Sequence, residues 1–245
     1  MKLVIDRGNT RYKLAVFEKD DMVYFSSFQT LSVGILENLF CKFDLQQAIV
    51  SSVAGEEEEQ VMNYLMDNTE LFSMTDELYL PIRIDYSTPS TLGKDRIAAV
   101  VAASVLYSGD AVLVIDAGSC VCFDFVDENK VYRGGSITTG IEMKYKALHN
   151  FTTDLPLIEI EHENVRLCEK STIGCIKSGV LNGTVAEIES MINWYLKEND
   201  NIKVVLTGGD AGFIAERLNC NVIVEDKLVL KGLNIILNVN AKKKV

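Results

Sequence analysis

One short pattern occurs twice in this chain, and the repeat constrains the fold more than any other feature. Residues 3–10 (LVIDRGNT) are echoed by residues 113–120 (LVIDAGSC), at an offset of 110. In each copy a second β-like run follows, at 13–17 and at 121–126, and then a charged turn and another hydrophobic pair. A strand, an Asp-x-Gly turn and a meander that restart half-way along a chain indicate an internal duplication.

We therefore predict two similar lobes, 1–109 and 110–245, divided at Gly109-Asp110. A single doubly wound sheet is the alternative, but it gives no reason for the restart. Short apolar runs predict central strands and periodic segments predict helices, so we expect an α/β fold with a cleft between the lobes. The strands are 47–53 and 203–207, and the helices are 56–66, 95–107, 172–196 and 211–218.

Composition restricts the class of protein. The 245 residues include 24 Lys and Arg against 35 Asp and Glu, and the net charge of −11 repels nucleic-acid backbones and anionic membranes. The longest apolar segment, 97–107, is too short to span a bilayer, and the apolar start at 3–5 is too short for an export signal. Six scattered cysteines favour reduced thiols. We expect a cytoplasmic protein that binds neither nucleic acid nor membranes.

Each copy of the repeat places a carboxylate after a buried strand, followed by a glycine that lets the backbone turn and direct its amides at an anion. In the first copy, Asp6 can hold a hydrated Mg²⁺. Such a hairpin occurring once is equally well a simple tight turn, but its recurrence at Asp116-x-Gly118-Ser119 favours two loops that grip one polyphosphate. Side chains near Asp6 offer donors to phosphate oxygens: Asn9, Thr10, Arg11 and Lys13.

Two glycine-rich segments are further candidates. Thr207-Gly208-Gly209-Asp210 lies between a predicted strand and a predicted helix, where small residues let a nucleotide approach the backbone. The second, Gly134-Gly135-x-Ile137-x-x-Gly140, has two open interpretations: a flexible loop, or a backbone shelf for substrate. Neither GxxxxGK[ST] nor GxGxxG occurs, so nucleotide binding would use a design other than the common P-loop and dinucleotide folds.

Asp95 and Arg96 open a strongly apolar helix, downstream of Tyr86 and Pro89. One interpretation is structural: Asp95 stabilises the helix N-terminus, and Arg96 lies at the surface. The other is chemical: Asp95 is the general base for a substrate hydroxyl, and Arg96 clamps a substrate carboxylate. The spacing does not choose between them.

Together these motifs resemble the type III pantothenate kinases, within the acetate and sugar kinase, Hsp70 and actin superfamily, over essentially the whole chain. The resemblance implies two ribonuclease-H-like lobes of the actin-like ATPase kind and a homodimer. It also implies transfer of the γ-phosphate of ATP to the 4′-hydroxyl of pantothenate, the first step of coenzyme A synthesis. The resemblance rests on Asp6-x-Gly8-Asn9-Thr10-Arg11-x-Lys13, Tyr86, Pro89, Leu92-Gly93-x-Asp95-Arg96, Asp116-x-Gly118-Ser119, Gly134-Gly135-x-Ile137, Gly140 and Thr207-Gly208-Gly209.

The resemblance further implies roles for individual residues. Asp95 would be the general base, Asp6 would organise Mg²⁺ and ATP, and Asp116 would hold a monovalent cation, potassium or ammonium. Thr172, or Ser171 if the match slips by one residue, would reach the pantothenate of the partner subunit. The ATP contacts would be Asp6, Arg7, Gly8, Asn9, Thr10, Arg11, Lys13, Ser119, Gly208 and Gly209. The pantothenate contacts would be Tyr86, Gly93, Lys94, Asp95, Arg96 and Thr172.

Three residues depart from the family pattern. Arg7 is unusually large and charged, Ser119 replaces a threonine while keeping the hydroxyl, and Thr139 stands where proline is common. None of these departures removes a catalytic group.

Two other functions are compatible with parts of this pattern. A non-catalytic transcription accessory factor of the same fold would not require Asp6, Asp95, Arg96 and Asp116, all of which are present. A kinase of another small hydroxy acid would keep the ATP motifs but lose the combination of Tyr86, Asp95 and Arg96, which is also present.

Overall fold

The computed structural model describes residues 1–8, 10–51, 56–75, 77–199 and 201–242. The chain divides into two compact units: the first comprises 1–106, 130–132 and the segment from 227 onward, and the second comprises 107–129 and 133–226. The division predicted from the repeat, at 1–109 and 110–245, stays a prediction, as does the cleft. The compact units differ from it mainly in grouping the C-terminal helix with the first unit.

Strands and helices are interspersed along the described residues. Up to residue 106 they are β1 (Lys2–Arg7), β2 (Tyr12–Glu18), β3 (Asp21–Phe28), α1 (Val33–Lys42), β4 (Gln47–Val50), α2 (Glu56–Asn68), β5 (Glu70–Ser73), β6 (Arg83–Ile84), a 3₁₀ turn (Pro89–Thr91) and α3 (Lys94–Leu106). Beyond it they are β7 (Val112–Ala117), β8 (Cys120–Val126), β9 (Val131–Thr139), α4 (Ile141–Asn150), α5 (Thr172–Glu198), β10 (Lys203–Thr207), α6 (Ala211–Ala215), β11 (Ile223–Val224) and α7 (Leu228–Ala241).

The two sheets share one plan. In the first unit the strand order is β3-β2-β1-β4-β5, with β1 antiparallel to β2 and parallel to β4. In the second it is β11-β10-β7-β8-β9, with β7 antiparallel to β8 and parallel to β10. The short strand β6 pairs in parallel with Val131 and Tyr132, the part of β9 that groups with the first unit. The predicted α/β class and the restart of the meander at β7 are confirmed.

Burial explains why the repeat begins with an apolar run. Residues 3–5 of β1 and 113–115 of β7 are almost wholly buried. Because such central strands are covered on both faces, they carry continuous apolar residues instead of alternating ones. Asp6 and Asp116 follow these runs, so the central strand of each sheet places one of the two carboxylates near its carboxyl end.

Close packing of α7 on α3 completes the first unit. Residues 96–104 of α3 are all buried. Gly232 of α7 lies so close to α3 that a Cβ atom there would be 1.8 Å from the Ala98 carbonyl oxygen. A glycine is therefore required at the point where the two helices meet.

Three sequence expectations need correction. The flexible-loop interpretation of the 134–140 glycines is wrong for Gly134 and Gly135, which lie inside β9. A Cβ at Gly135 would be 1.7 Å from the Phe123 carbonyl oxygen of β8, so this glycine permits a close approach of two backbones. The helix predicted over 211–218 ends at Ala215. The predicted strand 47–53 ends at Val50, and residues 52 and 53 lie outside the described residues.

No helix within the described ranges combines the length and the hydropathy that a membrane crossing needs.

Candidate active site

Asp6 is the penultimate residue of β1, and its carboxylate is buried, with 3% of the residue's surface exposed. Its Oδ1 accepts a hydrogen bond from the Ser51 hydroxyl at 2.9 Å, and Lys13 is its register partner on β2. Burial raises the pKa of Asp6, the charge of Asp95 raises it further, and the Ser51 bond and the Lys13 charge partly oppose the shift. The first unit therefore brings both Lys13 and Asp95 within electrostatic range of Asp6.

Ser51 is a site residue that sequence reasoning missed. It directly follows β4, is 4% exposed, and accepts a hydrogen bond from the Arg7 backbone N–H at 3.0 Å while donating to Asp6. One hydroxyl therefore holds both the Asp6 side chain and the adjacent backbone. The only signal was the predicted buried strand 47–53, which contains this serine, because parallel pairing of β4 with β1 puts their carboxyl ends side by side.

The turn between β1 and β2 is closed by a bond from the Gly8 N–H to the Arg11 carbonyl, at 3.0 Å. The Arg11 guanidinium donates to the Ser27 hydroxyl at 2.8 Å and to the Ser27 carbonyl at 3.2 Å. The Arg7 guanidinium lies 5.9 Å from the centre of the Tyr12 ring. A tight turn is thus confirmed here, and the anion-gripping role of these donors stays a prediction.

Asp95 lies exposed in the first turn of α3. Its Oδ1 accepts a hydrogen bond from the Arg96 backbone N–H at 2.8 Å, so the carboxylate does stabilise the helix start. A Cβ at Gly93 would lie 2.5 Å from that same oxygen. The missing side chain of Gly93 therefore makes room for the Asp95 carboxylate.

Arg96 is 8% exposed, so the interpretation that it is a surface residue is wrong. A buried guanidinium needs partners, and the planar donor fork suits a carboxylate. Tyr86, half-buried, packs its ring against the buried Tyr132 with centroids 6.0 Å apart. The Asp85 N–H also donates to the Tyr132 carbonyl at 3.0 Å, so this segment is anchored on β9.

In the second unit, the loop after β7 is packed between two glycines. A Cβ at Gly208 would lie 2.2 Å from the Ala117 carbonyl oxygen and 2.6 Å from Oδ1 of Asp116. A Cβ at Gly140 would lie 2.0 Å from the Gly118 carbonyl oxygen, and the Gly140 N–H donates to the Ser119 carbonyl at 3.1 Å. The second copy of the repeat, Asp116-x-Gly118-Ser119, is therefore contacted closely by the backbone of Gly208 and Gly140, and this approach is possible because these two residues have no side chains.

Gly208 has a φ of +100°, a conformation that favours glycine, directly after β10. Two residues later, the Asp210 N–H donates to the Ala117 carbonyl at 3.0 Å. The Asp210 carboxylate accepts a hydrogen bond from Nε2 of His162 at 2.9 Å. Burial raises the pKa of Asp210, and the bond and charge of His162 partly oppose this.

The remaining predicted contacts fall into three groups. Thr10, Gly209 and Thr172 are exposed. Lys94 is half-buried at the start of α3. Asn9 lies outside the described residues.

The sequence matches the type III pantothenate kinase family over residues 2–194. This chain belongs to that family. A type III pantothenate kinase of Christiangramia forsetii is 37% identical, over 98% of this chain and 99% of its own length. Membership makes the chain a kinase that uses ATP to phosphorylate pantothenate, and it does not favour the non-catalytic alternative.

Solved structures agree on the fold. A conserved protein of Campylobacter jejuni, described as a Baf family transcriptional activator, superimposes with a TM-score of 0.62 at 22% identity, over 98% of this chain and 99% of its own. A ROK family glucokinase of Streptomyces griseus, in complex with glucose and AMPPNP, gives a TM-score of 0.52 at 10% identity, over 97% and 99%. At these identities the likeness shows the fold alone, and it confirms the ribonuclease-H-like, actin-like class of this type III pantothenate kinase.

Proposed function

We propose that this type III pantothenate kinase transfers the γ-phosphoryl group of ATP to the 4′-hydroxyl of pantothenate, with Asp95 as the general base. The observation that carries the proposal is the exposed Asp95 carboxylate, which has only one oxygen bonded to the Arg96 N–H. That arrangement fixes the group while leaving Oδ2 able to take a proton from a substrate hydroxyl. The hydroxyl then attacks phosphorus in line through a loose transition state, so positioning and charge neutralisation supply most of the catalysis.

Pantothenate carries a carboxylate, and Arg96 is the cation we assign to it. Its guanidinium is nearly buried directly beside Asp95, where desolvation strengthens a charge-assisted bond. Tyr86, Gly93 and Lys94 flank the same helix start in sequence and complete the proposed contacts.

Mg²⁺ fits Asp6. The ion prefers carboxylate oxygen and usually takes one or two carboxylates together with substrate phosphates and water. Among the described residues no group of three or more His, Cys, Asp or Glu side chains could hold a metal alone, so the nucleotide would have to supply ligands. When bound, the ion would neutralise phosphate charge. Asp6 itself is held by Ser51, and Lys13 beside it offers a donor to the phosphates.

A monovalent cation, potassium or ammonium, fits Asp116. Carbonyl oxygens suit such ions, and the Ala117 carbonyl oxygen and Oδ1 of Asp116 both lie beside the position that a Cβ would take at Gly208. Ser119, Gly208 and Gly209 are assigned to ATP at this loop. The ATP contacts proposed on the first hairpin are Asp6, Arg7, Gly8, Asn9, Thr10, Arg11 and Lys13.

We also propose a homodimer in which Thr172 contacts the pantothenate of the partner subunit. A groove of about 450 Å³ runs along α5 close to Thr172 in sequence, lined by small residues that include Gly179 and Gly183. Leu167 at its rim is 86% exposed, and Ile173 is 51% exposed. An apolar, small-residue helix face suits close packing of a second copy. Sedimentation velocity tests the assembly.

A cytoplasmic location belongs to the same proposal. All six cysteines are free thiols, which suits a reducing compartment. The net charge of −11 supports the expectation that neither nucleic acid nor membranes are partners.

The decisive experiment measures ATP consumption with and without pantothenate, at saturating Mg²⁺, in potassium and then in sodium buffer. We expect turnover that requires both pantothenate and potassium or ammonium. Asp95→Asn should abolish turnover while retaining nucleotide binding, and Asp67→Asn, an exposed aspartate on α2, is the matched control. An active Asp95→Asn variant would overturn the assignment of the base, and a wild-type enzyme inactive in every buffer would overturn the proposed activity.

A further inference from the structure

The segment between α4 and α5, residues 151–171, contains no helix or strand. In its middle, however, each of the residues 161–164 makes a side-chain contact with another element or loop. We name residues 161–164 the strap. Glu161 and Glu163 both pair with Lys177 of α5, the first at 3.0 Å. Asn164 accepts a hydrogen bond from Arg217 at 2.6 Å. His162, described below, bonds to Asp210. The four consecutive side chains of the strap are therefore bonded to three different partners.

His162 is the strap residue that contacts Asp210, which directly follows Gly208 and Gly209 in sequence. Its Nε2 donates to Oδ1 of Asp210 at 2.9 Å, and its ring stacks on Phe213 of α6 with centroids 4.9 Å apart and planes at 21°. Arg217 lies 3.8 Å from the centre of the same Phe213 ring. The imidazole is thus fixed in both position and orientation.

Asp210 occupies the residue just before α6, where an aspartate ordinarily bonds a backbone N–H of its own helix. It makes no such bond. Its carboxylate goes to His162 instead, while its N–H goes to the Ala117 carbonyl at the end of β7. Asp210 therefore joins the strap to the loop that contains Gly208 and Gly209.

We infer that His162 and Asp210 form a positioning pair that holds the Gly208-Gly209 loop against the Asp116-x-Gly118 loop for nucleotide binding. The inference rests on the assignment of this loop to ATP in the proposed function. Gly208 lies against Asp116 in a left-handed conformation, and a loop with two adjacent glycines has little intrinsic preference for that state. The hydrogen bond from His162 to Asp210 supplies the conformational restraint on this loop that the two glycines do not.

The test compares His162→Ala, Asp210→Ala and the double variant in the full-length chain. We expect binding of the ATP analogue AMPPNP with Mg²⁺, measured by calorimetry, to weaken about tenfold in each single variant, as for loss of a hydrogen bond to a charged group. The KM for ATP should rise in parallel, whereas kcat at saturating ATP and the KM for pantothenate should stay unchanged. The double variant should be no weaker than the weaker single variant, because the two residues act through one bond.

Two further variants separate positioning from general loss of structure. His162→Gln keeps an N–H donor and should recover most of the affinity. His149, the only other histidine, lies in the last turn of α4, and its Nδ1 is 2.8 Å from the carbonyl oxygen of Leu155 in the segment that follows. His149→Ala should leave nucleotide affinity unchanged.

Unchanged AMPPNP affinity in a folded His162→Ala protein would overturn the inference, and so would equal losses in the His162 and His149 variants. Because affinity is measured without pantothenate, the result is independent of turnover. A wild-type enzyme that binds AMPPNP but does not phosphorylate pantothenate would refute the proposed function alone.

Discussion

A single methyl group at residue 93 would collide with the carboxylate of Asp95, since the Cβ position lies 2.5 Å from Oδ1. The carboxylate must then rotate away from the Arg96 N–H. We expect Gly93→Ala to lower kcat about 100-fold, because small displacements of a catalytic group are costly, with little change in Tm.

Gly34→Ala is the control for this variant, since nothing lies within 4 Å of its Cβ position on α1. Steady-state kinetics and thermal unfolding distinguish the two effects. Wild-type kcat in Gly93→Ala would show that the position of the Asp95 carboxylate is not critical.

A second prediction at the scale of single residues concerns the Ser51 hydroxyl. Ser51→Ala removes the bond to Asp6 and leaves the Arg7 N–H without its acceptor. We expect a loss of about 1–3 kcal/mol in the free energy of unfolding and a higher KM for Mg²⁺ and ATP. Ser51→Thr keeps the hydroxyl and should recover both, and failure of that recovery would mean that cavity volume, not the bond, matters at this position.

At the scale of elements, the contact between α3 and α7 depends on Gly232. A Cβ there would lie 1.8 Å from the Ala98 carbonyl oxygen, which belongs to backbone and cannot rotate aside. We expect Gly232→Ala to destabilise the protein by about 3 kcal/mol, measured by urea unfolding. Gly34→Ala, also a helical glycine, should be neutral or stabilising by up to about 1 kcal/mol. Equal stabilities of the two variants would contradict the proposed close packing.

The elements that sequence predicted well are those set by local pattern. The meanders after Asp6 and Asp116 follow from apolar runs broken by charged turns within a few residues. The role of Ser51 was not predictable, because its partner Asp6 lies 45 positions away and only the β1–β4 pairing joins them. The place of Gly135 inside β9 was not predictable, because the reason for that glycine is a carbonyl on the neighbouring strand.

The candidate site also combines residues that local sequence indicates with residues whose role depends on distant contacts. Asp6, Asp95 and Asp116 could be singled out because a carboxylate after an apolar run, or at a helix start, is visible in sequence. His162 could not, because its segment has no periodicity and its partner belongs to another element. The burial of Arg96 was also hidden, since a charged residue at a helix start is more often exposed.

At the scale of the whole molecule, the buried Asp6 carboxylate lowers global stability. Because its pKa in the folded protein is raised above 3.8, the folded state holds the proton more tightly than the unfolded chain does. Ionised Asp6 therefore destabilises the protein at neutral pH, and this cost disappears as the pH falls through the folded pKa to below 3.8. Asp6→Asn should raise Tm at neutral pH while abolishing metal-dependent use of ATP.

Thermal unfolding of wild type and Asp6→Asn across pH checks this prediction, with Asp67→Asn as the exposed control. The difference in Tm should shrink steadily on acidification. A lower Tm for Asp6→Asn at pH 7 would contradict the sign of the effect.

The docking of α7 on the first unit has a consequence for how the protein is made. Roughly 120 residues separate α7 from α3 in sequence, yet Asn234 of α7 donates to the Lys19 carbonyl and Gly232 packs on Ala98. At about 5–20 residues per second, translation leaves the buried face of α3 uncovered for roughly 6 to 24 seconds. The first unit to leave the ribosome is thus the last to finish folding, and during that interval the nascent chain presents an apolar surface that chaperones recognise.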